Sequence, residues 1–163
     1  MTRRMIRFGS LSAVVSGFLL IILTLMLVVD MFLPAIPGVL FTALALSADI
    51  LLVFALIGLY VGAGEELGKL SSVGFVLMIA GTMIELARFF SPVGNILFLL
   101  GLVSFSLAVY RAQKAYRWAF WLWVAGLVVF MVAGVFNLHR ILSLGVLLAG
   151  VSRIWWGALW PAE

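Results

Sequence analysis

Residues 38–90 read GVLFTALALSADILLVFALIGLYVGAGEELGKLSSVGFVLMIAGTMIELARFF. Two long apolar runs flank the polar turn Gly64-Glu65-Glu66-Leu67-Gly68-Lys69. A helix rises 1.5 Å per residue, so about 20 apolar residues cover the hydrocarbon core of a bilayer. Each run meets that length, and each contains one carboxylate: Asp49 in the first, Glu85 in the second. A charge inside hydrocarbon costs about 2.5 kcal/mol or more, so it is rarely accidental. The stretch therefore reads as a pair of membrane-spanning helices with polar groups in their interior.

The pattern continues in both directions. Six spans are expected, at about 10–32, 38–62, 71–90, 93–110, 118–137 and 141–160. The expected fold class is all-α: a polytopic membrane protein, a compact six-transmembrane-helix bundle with short loops and a single domain over residues 1–163. Short connections make consecutive helices antiparallel neighbours.

Composition agrees. The chain of 163 residues is 66% hydrophobic and 10% charged, against about 45–50% and about 25% in soluble domains. It has no cysteine, which excludes disulfides, thiolate catalysis, iron–sulfur clusters and cysteine zinc sites. Its single histidine, His139, excludes bis-histidine haem ligation within the chain. No cofactor and no metal site are expected. The net charge of +4 comes from basic residues lying mostly in short loops, which reads as membrane topology and not as nucleic-acid binding. The start, MTRRMIRF before an apolar run, resembles a signal peptide. The run from Leu11 to Val29 exceeds a typical signal core of about 7–15 residues, so an uncleaved first span is expected, with cleavage as the alternative.

Orientation follows from the basic residues. With the N-terminus inside, the cytoplasmic segments hold Arg3, Arg4, Arg7, Lys69, Arg111, Lys114 and Arg117, and the other side holds Arg88 and Arg140. Both termini are then cytoplasmic. All six tryptophans (Trp118, Trp121, Trp123, Trp155, Trp156, Trp160) and all three tyrosines (Tyr60, Tyr110, Tyr116) fall near the inner ends of spans. They are read as a one-sided headgroup belt.

Lipid tails are as apolar as leucine, so close backbone approach at small residues is what draws helices together. Each span carries a small-residue face, for example Ser10, Ala13, Gly17 and Thr24 in the first, Gly38, Thr42, Ala45 and then Asp49 in the second, and Gly145, Ala149 and Ser152/Arg153 in the sixth. Asp49, Glu85 and Arg153 lie on these faces and are expected to point inward. By rise per residue, Asp49 and Arg153 sit about 16 and about 18 Å below the outer rim, so they are expected to form a buried charged pair. Glu85, about 9 Å from that rim, is expected to pair with Arg88 in an outer-rim polar cluster with His139 and Arg140. The basic turn of Arg111, Lys114 and Arg117 is expected to touch anionic lipid headgroups. Glu65, Glu66 and Lys69 read as a solvated turn.

The buried charges have three readings: paired packing elements, a proton or ion path through Asp49 and Glu85, or a polar pocket for a small or lipid-like ligand. Thr42, Ser47 and Thr82 are the only obvious relays for a path. No catalytic residue is assigned, because no hydrolase, metalloprotease, Walker or dinucleotide-binding motif occurs.

The stretches LIGLYVGAGEELGKLSSVGFVLMIAGT (56–82) and YRAQKAYRWAFWLWVAGL (110–127) share a design: a span ending in tyrosine, a short charged turn, then glycine-punctuated Leu/Val helices. In this the chain resembles uncharacterised bacterial multi-pass membrane proteins of unassigned function. The resemblance implies a bacterial inner membrane and carries no catalytic residue across. The expected function is a small structural or accessory component that packs with itself or a larger membrane complex. The alternatives are a transporter or channel component using Asp49 and Glu85, and an intramembrane enzyme acting on lipid.

Overall fold

A computed structural model describes residues 2–32, 37–88, 92–136 and 138–160. Five continuous helical elements follow one another: α1 (Thr2–Phe32), α2 (Gly38–Arg88), α3 (Pro92–Arg111), α4 (Arg117–Val135) and α5 (His139–Leu159). They hold six segments long and apolar enough to cross a membrane, because α2 contains two, Gly38–Ala63 and Glu66–Ala87. No strand occurs among the described residues. The protein is an all-α multi-pass membrane protein.

The connection inside α2 is tighter than the six-residue turn the sequence suggests. Helical structure runs up to Gly68 from both sides, and Gly68 alone departs from it, at φ 73 and ψ −170. Only glycine adopts that backbone region at no steric cost. The chain reverses there. The ring of Tyr60 stacks on Phe75 with centroids 4.4 Å apart, and its hydroxyl lies 3.0 Å from Ser72 Oγ. In an unbroken helix, residues 12 positions apart would be separated by about 18 Å. The two arms of α2 are therefore antiparallel neighbours.

The six spans form a ring. α1 packs on the first arm of α2 and on α5, the second arm packs on α3, α3 on α4, and α4 on α5. Four of these interfaces are built on glycine facing glycine: Gly9 with Gly58, Gly17 with Gly150, Gly74 with Gly101, Gly81 with Gly94, and Gly126 with Gly145. A methyl group added at Gly17 would lie 2.5 Å from the Gly150 carbonyl oxygen. That closeness lets dispersion contacts and short polar bonds act between backbones where burial from water contributes nothing. One such bond joins Ser10 Oγ to the Gly157 carbonyl at 2.6 Å.

The second span departs from its expected packing face. Among the described residues Gly38 has no neighbour where a Cβ would stand, and Thr42 is exposed. The face that packs is Ala48, Leu52, Ala55, Leu56 and Leu59, all buried. Leucines and alanines carry this helix inward, and Asp49 sits at the edge of that face rather than at its centre.

The aromatic residues also divide differently from a headgroup belt. Tyr116, Trp123, Trp156 and Trp160 are buried with Phe98, Phe105 and Phe120 inside the ring. Trp156 stacks on Phe120 at 5.5 Å and on Trp123 at 6.3 Å. Only Tyr110, Trp118 and Trp155 are prominently exposed. The large rings fill the space that six helices leave between them, which leucine side chains alone would fill poorly.

Candidate functional site

The ring surrounds a charge. Arg153 projects from α5 into the interior and is only 6% exposed. Its Nη1 donates to Ser16 Oγ on α1 at 2.7 Å. The Ser16 hydroxyl in turn donates to the Ala48 carbonyl on the first arm of α2 at 2.9 Å. Arg153 Nη2 stands 4.0 Å from Asp49 Oδ1 on the same arm. The guanidinium carbon lies 5.0 Å from the centre of the Trp123 ring on α4, within cation–π range. One side chain thus engages four spans.

The structure brings Asp49 and Arg153 together, but loosely. At 4.0 Å the ionic contact is at the edge of direct pairing, and the Asp49 side chain keeps 31% of its surface exposed. The short bond of the guanidinium goes to serine. Ser16 and Trp123 escape a reading of the sequence, since serine is routine in membrane helices and the tryptophan reads as an interfacial anchor.

Glu85, expected in an outer-rim cluster, borders the interior charges. It lies on the second arm, close enough to Asp49 and Arg153 for both charges to act on it. The reversal at Gly68 accounts for this: Asp49 lies 19 residues before the glycine and Glu85 lies 17 after it, so antiparallel arms bring the two to similar heights. Glu85 Cγ also packs where a Cβ on Gly94 would stand. The side chains of Arg88, His139 and Arg140 lie outside the described residues, so the expected rim cluster reduces here to Glu85 and its new neighbours.

Four buried polar atoms have no hydrogen-bond partner among the described residues: Glu85 Oε1, Ser152 Oγ, Arg153 Nε and Trp156 Nε1. Buried polar atoms are nearly always paired, and an unmade bond costs about 1–3 kcal/mol. Three of the four lie on one turn of α5. The centre of the bundle therefore has hydrogen-bonding capacity to spare.

The anticipated relays do not connect the carboxylates. Thr82 Oγ1 donates to the Met78 carbonyl at 2.9 Å and Ser47 Oγ to the Ala43 carbonyl at 2.7 Å, each closing on its own helix. Beyond the cluster, the stacked Trp123, Phe120, Trp156 and Trp160 fill the ring. Among the described residues no three His, Asp or Glu side chains gather to hold a metal ion.

The end of the bundle carrying Arg3, Arg4, Arg7, Lys69, Arg111, Lys114 and Arg117 is its basic end. Lys114 Nζ is bonded to Glu66 Oε2 at 2.7 Å, so it clips the α3–α4 turn to the reversal of α2 rather than standing free for lipid. The partner of Glu66 is thus 48 residues away. Arg117 bonds Gln113 Oε1 at 3.2 Å and lies 5.8 Å and 5.9 Å from the ring centres of Tyr110 and Trp118. Gln113 takes a left-handed φ of 57 in the same turn.

Comparison with protein-family models, with curated proteins and with solved structures finds no match to this chain.

Proposed function

We propose that this chain is a small structural or accessory protein of a bacterial inner membrane, with both termini in the cytoplasm and no catalytic role. The observation that carries the reading is the arrangement around Arg153: its guanidinium meets Ser16, Asp49 and Trp123, residues of three other spans. A charge tied to so many helices is suited to fixing how they sit together. The aromatic filling beside it and the self-closed hydroxyls of Ser47 and Thr82 weigh against a polar route across the bundle. The apolar outer surface, with Val39, Val135 and Phe136 among its most exposed residues, suits contact with lipid tails. Purification in a mild detergent followed by native mass spectrometry tests this. A reproducible protein partner or homo-oligomer supports it, and isolation as a lone monomer in every mild detergent counts against it.

A second reading, handling of a proton or ion, draws on one feature. Two carboxylates, Asp49 and Glu85, share the neighbourhood of one guanidinium, and Glu85 Oε1 is buried with no hydrogen-bond partner among the described residues. Intramembrane acids of this kind mark proton and ion paths. Liposomes containing the purified protein provide the test. Proton or cation flux that vanishes in Glu85→Gln, with stability unchanged, would favour this reading over the structural one.

A further inference from the structure

We propose that the cleft between Lys69 and Arg111 at the basic end holds the headgroup of an anionic phospholipid. The cleft has a volume of about 400 Å³ and lies between the start of the second arm of α2 and the end of α3. Deeper in the membrane these two helices touch at Gly74 and Gly101. The cleft lies just beyond that contact, where larger side chains line the two helices.

Its charge follows from which cations are already engaged. Lys114 is bonded to Glu66, which also lines the cleft, so that carboxylate is neutralised in place. Arg117 is turned to Gln113 and to the rings of Tyr110 and Trp118. Lys69 and Arg111 remain, both exposed and both lining the same cleft from facing helices. No ion pair is made by either among the described residues. Two positive charges lining one cleft, with no ion pair to either among the described residues, suit a phosphodiester, which an arginine can bind through two parallel N–H bonds and a lysine as a point charge.

Depth and lining point to a lipid rather than a free anion. Leu67, Leu70 and Ala108 supply an apolar wall to the cleft, suited to the first methylenes of an acyl chain. On the other side of α3, Leu107, Tyr110, Trp118 and Trp121 line a second groove of about 290 Å³. The exposed rings of Tyr110 and Trp118 put this end of α3 at the level of the headgroups, where amphipathic aromatics settle. A charged cleft with an apolar floor at that level matches the junction between a phosphate and its acyl chains.

Native mass spectrometry of the full chain in detergent tests the proposal, with added phosphatidylglycerol compared with phosphatidylcholine of the same acyl chains. Preferential retention of phosphatidylglycerol is expected. Lys69→Gln and Arg111→Gln should each reduce the preference by about fivefold, the scale of one basic residue near an anionic surface. A variant with Arg3, Arg4 and Arg7 changed to Gln carries more charge loss at the same end but leaves the cleft intact, and should keep the preference. Equal loss in that variant would show attraction to the surface as a whole and overturn the site. Retained preference in the Lys69→Gln/Arg111→Gln protein, with an unchanged unfolding temperature, would also overturn it. Displacement of the lipid by inorganic phosphate alone would assign the cleft to a free anion instead.

Discussion

Arg153 and Ser16 are joined by a 2.7 Å hydrogen bond between α5 and α1, 137 residues apart in the chain. The serine is more than an acceptor. Its own proton goes to the Ala48 carbonyl, so the hydroxyl carries the link onward to the helix that holds Asp49. The arrangement makes a neutral residue the main anchor of the buried guanidinium, with the carboxylate at 4.0 Å in support.

Ser16→Ala should therefore be costly for so small a change. It removes a bond to a charged donor and leaves Arg153 Nη1 unsatisfied, for a loss of about 1.5–3 kcal/mol. Thermal unfolding of the purified protein in one detergent measures it. An unchanged transition would mean that the guanidinium finds its support elsewhere.

Gly17→Ala should be destabilising by about 1–3 kcal/mol, because the new methyl meets the Gly150 carbonyl oxygen at 2.5 Å with backbone on both sides. Gly134→Ala offers the contrast, since no described residue lies within 4 Å of its Cβ position on α4. That change should be neutral or stabilising by up to about 1 kcal/mol, through the lower conformational entropy of alanine in the unfolded chain. Equal effects at the two positions would argue that glycine pairing does not set the helix spacing.

Gly68→Ala tests the reversal of α2 separately from packing. No atom of the described residues lies within 4 Å of the Cβ position, so the expected loss comes from φ 73. That backbone region costs a non-glycine residue about 1–3 kcal/mol. A loss of that size in the same unfolding assay is expected, and no loss would place the reversal elsewhere in the Gly64–Lys69 segment.

The membrane-spanning architecture was legible because apolar length is a direct physical requirement of the bilayer. Asp49 and Arg153 were legible as a pair for a related reason: both helices run inward from the same rim, so rise per residue compares them on one ruler. The nearness of Glu85 to that pair was not legible, because it depends on where the chain reverses, and Gly64 and Gly68 both offer a turn there. Trp123 and Trp156 illustrate a different limit. An aromatic residue near a span end satisfies both an interfacial role and a core role, and only the inward face of its helix separates them. Ser16 gave no signal, since a single hydroxyl becomes important only when a charge arrives from another helix.

The central claim is that Arg153 ties the bundle together through its charge. A mutant cycle of Asp49→Asn, Glu85→Gln and Arg153→Gln, followed by thermal unfolding in one detergent, tests it most directly. Arg153→Gln alone leaves two carboxylates without their cation and should cost about 3–5 kcal/mol, the scale of breaking a buried pair from one side. Adding Asp49→Asn and Glu85→Gln to it should restore much of that loss, with coupling of about 0.5–3 kcal/mol between neighbours. Losses that simply add, or an Arg153→Gln protein as stable as the parent, would contradict the account.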